Sequence, residues 1–305
     1  RNDQLLSSDW SAPVEEDGWH WLAGGRLARE INGTATTSSL RLSLGKAQAS
    51  DEVDRRYYLQ YDRARTVDTA VTDGSSDGNL AALSANYGWT WREFDTLPYP
   101  NSGYGLGLTV GAGTTLGGVR KPFLTTQVRW LGYWPLGAVP EPGRPEDGDQ
   151  SATVLRSHLG RLALRLQGGA VMASASAPIP DTLLFLTGGD NTVRGYGLRD
   201  IGVEQPDGSV KPGRYLAVAS FEWQRPITSD GVRTAWESVV FVDAGVVTSD
   251  NNHLDATSNG SKLDPKIGVG VGARYNSPVG PLQMDLAYGV AAKRFRIHLS
   301  VGFSF

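Results

Sequence analysis

Apolar and polar side chains alternate along most of this chain with a period of two. In RFRIHLSVGFSF, residues 294–305, Phe295, Ile297, Leu299, Val301, Phe303 and Phe305 share one face, and Arg294, Arg296, His298, Ser300, Gly302 and Ser304 share the other. Successive side chains of an extended strand point to opposite faces, so this pattern predicts a strand. KIGVGVGARY sets Ile267, Val269, Val271, Ala273 and Tyr275 against three glycines and Arg274, and LQMDLAY sets Leu282, Met284, Leu286 and Tyr288 against Gln283 and Asp285. NLAALSANYGWTWRE repeats the alternation from Ala81 to Trp91. Further strands are predicted near 19–29, 38–45, 56–64, 103–112, 123–134, 160–169, 214–225 and 238–247, about twelve in all, with a weaker thirteenth near 4–12.

Two-sided alternation fits a soluble sandwich as well as a membrane barrel. Three features favour the barrel. Many of the predicted strands run 9–12 residues, longer than the soluble mode of about 5 to 6 and close to what a tilted strand needs to cross a bilayer. Aromatic residues collect at strand ends, where interfacial girdles form: Trp19 and Trp21, Trp89 and Trp91, Trp130 with Tyr133 and Trp134. The polar faces carry charge and glycine, as a wet or plugged lumen tolerates. Short turns such as NSPVGP (276–281) are expected to alternate with long polar loops at 65–79, 138–151 and 248–264, short on one side of the membrane and long on the other. The fold class is therefore all-β, an antiparallel transmembrane β-barrel over residues 1–305 in a lipid bilayer. No run approaches the roughly 18 apolar residues of a membrane helix. The chain opens on Arg1 with no signal peptide, and reads as a processed or truncated piece.

Composition acts mainly by exclusion. Thirty-eight glycines, nine tryptophans and eleven tyrosines against two methionines favour strands and turns. A net charge of −3 with scattered basic residues leaves no footprint for nucleic acid. There is no cysteine, which excludes disulfides, thiolate metal sites and cysteine nucleophiles. His20, His158, His253 and His298 lack metal-ligand spacing. GYGLRD offers Gly195 and Gly197 but puts Asp200 where a dinucleotide loop needs its third glycine, and no serine lies in a GxSxG elbow. No catalytic residue, metal site or cofactor is predicted, and the chain does not read as an enzyme.

One segment breaks the period. GGDNTVRGYGLRDIG, residues 188–202, surrounds Arg194, Tyr196 and Arg199 with glycines. Downstream, ASFEWQ places Ala219, Phe221 and Trp223 on the lipid-facing parity and so turns Glu222 into the lumen with Ser220 and Gln224. VVFVDAGVV does the same for Asp243. Two carboxylates on neighbouring strands thus face one interior space. Arg194 is their expected partner, presented by a loop folded back into the barrel, its planar guanidinium matched to carboxylates and its path eased by flanking glycines such as Gly195. A solvated exterior loop is the other reading of such a segment.

The run GGDNTVRGY, ASFEWQRP, FVDAG, GVGVGARYNSPVGPLQMDLAYGV and a terminal strand ending in phenylalanine resembles the C-terminal half of the outer-membrane assembly superfamily that includes BamA, TamA and the two-partner secretion transporters. The match is dense over 185–305, and its wording is most similar to the TamA-like members. That resemblance implies a Gram-negative outer-membrane barrel of sixteen strands preceded by POTRA domains. Here no POTRA-like segment is present and five strands follow VRGY as in the family, so the expected shortfall of three or four strands lies at the N-terminal side, with a naturally smaller barrel as the alternative. It also implies an inward lock of Arg194, Gly195 and Tyr196 on Glu222 and Asp243.

The function the resemblance implies is mechanical. The first and last strands of such a barrel form a weak seam at which an incoming outer-membrane protein pairs its own strand, a β-augmentation. Gly302 either lets strand 294–305 kink at that seam or is simply a small lumen-facing residue. Phe303 and Phe305 resemble the C-terminal signal by which such barrels are themselves assembled. The implied partners are client outer-membrane proteins such as autotransporters and a TamB-like inner-membrane-anchored protein. Export of a dedicated exoprotein and BamA-type insertion are the competing roles.

Overall fold

The structure is a computed structural model that describes residues 4–32, 35–68, 78–117, 119–136, 159–205, 208–229, 232–249, 264–277 and 280–302. Thirteen strands form one antiparallel sheet: β1 (Gln4–Ser11), β2 (Trp19–Asn32), β3 (Ala35–Ala49), β4 (Val53–Asp68), β5 (Gly78–Phe94), β6 (Gly103–Leu116), β7 (Pro122–Pro135), β8 (Arg161–Ala173), β11 (Tyr215–Ser229), β12 (Val232–Thr248), β13 (Lys266–Ser277), β14 (Gly280–Gly289) and β15 (Arg294–Val301). Each pairs with its neighbour in the chain, except that β8 meets β11 across a long connection. That connection holds a 3-10 turn (Asp181–Leu183) and a two-residue hairpin, β9 (Val203–Glu204) with β10 (Val210–Lys211). The fold is that of an outer-membrane β-barrel wall, and every predicted strand is present, most extended by several residues. Propensity and period mark a strand's centre better than its ends, where ladder pairing with a neighbour carries polar residues into the sheet.

The parity of the outward face is continuous around the sheet. Phe221 pairs with Val242, Val242 with Val269, Val271 with Leu286 and Leu286 with Ile297. On β15, Phe295, Ile297, Leu299 and Val301 are each about 70% exposed while His298 is buried, the inverse of a soluble core and the arrangement a lipid-facing wall requires. Phe303 and Phe305 lie outside the described residues. β15 ends at Val301, and Gly302 adopts φ +98°, in the left-handed region, with its N–H donating to Pro281 O at 2.9 Å.

One expectation is corrected. The segment 138–151 lies outside the described residues, but its flanking strands place the β7–β8 connection at the same end of the sheet as the β13–β14 turn. Long and short connections therefore do not segregate cleanly: 69–77 and 249–265 join strands at one end, and 136–160 at the other. Strand direction is set by the count of intervening strands, a property that loop composition does not carry. The aromatic residues are sharper markers. All nine tryptophans are on outward-facing strand positions, and each lies nearer the end where β7 turns into β8. Around that end Trp19–Tyr57, Tyr57–Tyr87, Trp91–Tyr104 and Trp236–Tyr275 pack with ring centroids 4.8–5.6 Å apart. Such rings hold an amphipathic interface position. This is the tryptophan end; the other is the loop end.

The β8–β11 connection enters the sheet's concave side from the loop end. Ala177, Ile179 and Phe185 pack with Ala82, Phe123, Val171 and Val247 from the wall. Arg41 on β3 donates to Thr182 O at 2.6 Å and Thr66 on β4 to Asp181 at 2.9 Å. The same connection touches β12, β13 and β15 farther along, so the sheet wraps around it.

Candidate functional site

Arg194 lies at the centre of the lumen, with a side-chain exposure of 2%. The peptide reaches it through Gly188 (φ +103°) and Gly189 (φ +105°), with Gly188 N–H donating to Thr192 Oγ1 at 2.9 Å. Fully buried Val193 packs with Tyr196, Ile201 and Val218, which holds the loop against β11. Arg194 then donates through Nε to Asp243 Oδ2 at 2.7 Å and through Nη2 to Asp243 Oδ1 at 2.9 Å, a two-pronged contact, and its backbone N–H reaches the same carboxylate at 3.0 Å. Nη1 lies 2.6 Å from Glu222 Oε1 and 2.9 Å from Asp285 Oδ2. The guanidinium carbon lies 3.4 Å from the centroid of the Phe241 ring, a cation–π stack.

Three carboxylates on β11, β12 and β14 thus converge on one arginine. Arg274 on β13 supplies a second cation, bonded to both oxygens of Asp285 and 3.5 Å from Glu222. Burial pulls the Arg194 guanidinium pKa down, but the Asp243 hydrogen bond and the charges of Glu222, Asp243 and Asp285 outweigh it, and the net shift is upward. Arg194 is therefore charged at every physiological pH. Beyond it, Arg161 donates to Gln224 at 2.7 Å and pairs with Glu237 at 2.9 Å, and Gln224 donates to Glu222 Oε2 at 2.7 Å, extending the network toward the tryptophan end.

The rest of VRGY is held by backbone contacts. Gly195 (φ +92°) packs against the β14–β15 turn, where an added Cβ would meet Gly289 N at 2.6 Å. At Gly268 an added Cβ would stand 1.8 Å from Arg194 O. Only hydrogen fits between these chains. Gly195 N–H donates to His298 Nε2 at 2.9 Å, which places the imidazole proton on Nδ1, directed at Asp190. Tyr196 OH donates to Ile267 O and accepts from Ala291 N–H, both at 3.1 Å.

Arg194, Gly195, Tyr196, Glu222 and Asp243 are thus one cluster in the structure, while Gly302 lies apart at the end of β15. Asp285, Arg274, Phe241 and His298 complete the cluster without having been singled out from the sequence, and Ser220, read as lumen-facing beside Glu222, joins it through Asp243 and Arg194. The parity signal for Asp285 and His298 was present, since both occupy polar positions of alternating strands. What linear reading lacked was the depth at which each strand crosses the loop.

A thirteen-stranded wall with an apolar outer face, a tryptophan girdle and a charged, plugged interior defines a transmembrane β-barrel of the outer membrane. The chain belongs to the Omp85 superfamily: the model of the Omp85 superfamily domain matches residues 21–305. Over 149 residues it is 33% identical to outer envelope protein 80, chloroplastic, of Arabidopsis thaliana, covering 48% of this chain and 18% of that protein. The fold is similar to BamA from Haemophilus ducreyi lacking POTRA domains 1–3, with a TM-score of 0.67 and 16% identity over 98% of this chain and 61% of that one. It is also similar to CdiB from Acinetobacter baumannii, with a TM-score of 0.57 and 15% identity over 99% of this chain and 50% of that one. The chain therefore spans less than two thirds of the length of each of these proteins.

Proposed function

We propose that this barrel is the membrane part of an outer-membrane translocation and assembly factor that inserts client outer-membrane proteins, autotransporters among them, in concert with a TamB-like inner-membrane-anchored partner. The observation that carries the reading is the loop 188–202 returned into the lumen and tied by Arg194 to β11, β12 and β14. Such a tie suits a wall that must strain without collapsing, because it braces four consecutive strands, β11–β14, and the same loop reaches β15 through Gly195 N–H and His298. Clients then pair at β15 by strand addition, with the local bilayer thinned over its short length.

The experiment is site-specific photo-crosslinking from outward positions of β15, Ile297 and Leu299, in cells producing an autotransporter. Crosslinks to the assembling client, together with loss of surface-displayed autotransporter on depletion, support the assembly role. Crosslinks confined to one soluble exoprotein, with outer-membrane protein levels unchanged, would assign the chain to dedicated export.

A further inference from the structure

Among the described residues, four guanidiniums stand against four carboxylates around Arg194, apart from Asp190, which is met by His298. Arg161 pairs with Glu237, Arg194 with Glu222, Asp243 and Asp285, and Arg274 with Asp285 and Glu222. The fourth cation is Arg165 on β8. It makes no hydrogen bond or ion pair among the described residues, and its Nε is buried without an acceptor. A buried donor left unpaired costs free energy, and a guanidinium cannot shed its charge to escape that cost.

Arg165 faces the carboxylates it does not touch. It stands opposite Ser220 on β11, and Ser220 stands opposite Asp243 on β12. Two strand spacings, roughly 10 Å between Cα atoms, separate Arg165 from Asp243, and Glu222 is a diagonal neighbour at roughly 7 to 8 Å. Ser220 lies between the two arginines: its Oγ donates to Asp243 Oδ1 at 2.6 Å and accepts from Arg194 Nη2 at 3.3 Å. A cavity of about 160 Å³ opens between Arg165, Ser220, Glu222 and Arg194, so the Arg165 side chain has room to turn. An anion bound at Arg165 would leave the carboxylates in excess, so the counterpart of this cation is to be sought among the acids already present.

The Arg194 tie supplies the occasion. When loop 188–202 carries Arg194 out of the lumen, Asp243 loses a two-pronged contact and Glu222 its partner at 2.6 Å. Arg274 stays committed to both oxygens of Asp285. Asp243 would be left with the Ser220 hydroxyl alone, a buried charge without a counter-ion. We infer that Arg165 is the reserve cation of this lumen, a positioning residue that takes over Asp243 and Glu222 as Arg194 leaves, so that release of the loop exchanges one guanidinium for another over the same acids. The inference rests on the Arg194 tie and is independent of the client and of the assembly role. A contact made only in the open form shifts the equilibrium toward opening, so the loop becomes a reversible plug while the closed form keeps the better geometry of Arg194.

The test follows hydrogen exchange of the 188–202 amides in the full-length protein in liposomes, read by mass spectrometry, since those amides exchange through opening of the loop. Arg165→Gln should slow their exchange about tenfold, the scale of one charge-assisted hydrogen bond withdrawn from the open form. Arg165→Lys, which keeps the charge but not the fork, should slow it about threefold. Arg129→Gln, at the position of β7 opposite Gln167, should leave it unchanged. An arginine that merely braced β8 would give the opposite sign, because its loss would loosen the wall and speed exchange. The structure of the Arg194→Ala variant by cryo-electron microscopy is expected to show the Arg165 guanidinium within hydrogen-bond distance of Asp243 or Glu222. Should Arg165→Gln fail to assemble, Arg165→Lys and the Arg194→Ala structure carry the test. Exchange unchanged or faster in the Arg165 variants, or Arg165 left away from both carboxylates in the Arg194→Ala variant, would each overturn the assignment.

Discussion

Arg194 concentrates the electrostatics of the lumen. Removing one partner of a buried ionic cluster leaves the others uncompensated, typically at about 3 to 5 kcal/mol. Arg194→Ala leaves Glu222, Asp243 and Asp285 facing one another with Arg274 as the nearest cation. The wall is held by a continuous ladder, so the loop should yield first: limited proteolysis in liposomes is expected to cut within 188–202 in the variant and not in the parent. Lysine should restore protection in part, because it supplies charge without the fork that spans Asp243. Gly268 tests the same contact without touching charge. Gly268→Val puts a side chain where Arg194 O lies 1.8 Å from an added Cβ, and it should expose the loop to the same protease while the barrel keeps its heat-resistant gel mobility. If both variants stay protected, the lock does not hold the loop. The pH response follows from the sign of the Arg194 shift. A cation whose pKa is raised on folding contributes its full stabilisation below its unfolded value and loses it only above the folded one. The parent loop should therefore remain protected up to about pH 9, below the ordinary ranges of both a phenol and a guanidinium.

At the scale of one strand, β15 separates lipid from lumen residue by residue. Leu299 is 67% exposed on the outer face and Ser300 faces inward, lining the lumen cavity with Glu222 and Arg274. Leu299→Arg near mid-wall should cost about 2 to 4 kcal/mol, the scale for a cation on the lipid face of a barrel. Ser300→Arg should cost much less, since it enters a wet, charged space. Urea unfolding of both variants in liposomes measures the difference, and equal costs would mean that β15 does not present this face to lipid. The same strand carries His298, whose unprotonated Nε2 accepts from Gly195 N–H, so β15 is joined to the loop by a backbone contact as well as to β14 by its ladder.

For the molecule as a whole, the nine outward tryptophans report orientation and depth together. All lie toward one end of the sheet. Lipids brominated near the headgroup should quench their fluorescence strongly, and lipids brominated deep in the chain weakly, with one population of depths. Two well-separated depths would mean that the girdle is not one belt. The charge at the two ends differs as well: among the described residues the outward strand positions carry Lys46, Arg55, Arg225 and Glu93 toward the tryptophan end and Arg29, Arg63 and Arg65 toward the loop end.

Periodicity carried the strands and their facing, and strand length with the aromatic strand ends turned that set into a barrel. Thirteen strands, the lipid parity of β15 and the inward turn of Glu222 and Asp243 were all legible, because in a strand the facing of a side chain depends on nothing but odd or even position. The glycines around Arg194 marked a constrained loop, and the order of motifs placed five strands after it. Tertiary structure decided the rest. Asp285 is 91 residues from Arg194 and His298 is 103 from Gly195, and no period relates positions on different strands until register and strand tilt set their relative depth. Register likewise decided that Gly268 and Gly289 receive the loop backbone, whereas other glycines of the same alternating runs do not. The end at which the 138–151 connection emerges followed from the number of strands before it, and the gathering of every tryptophan at one end followed from strand direction. Both are properties of the assembled ladder rather than of any local stretch of chain.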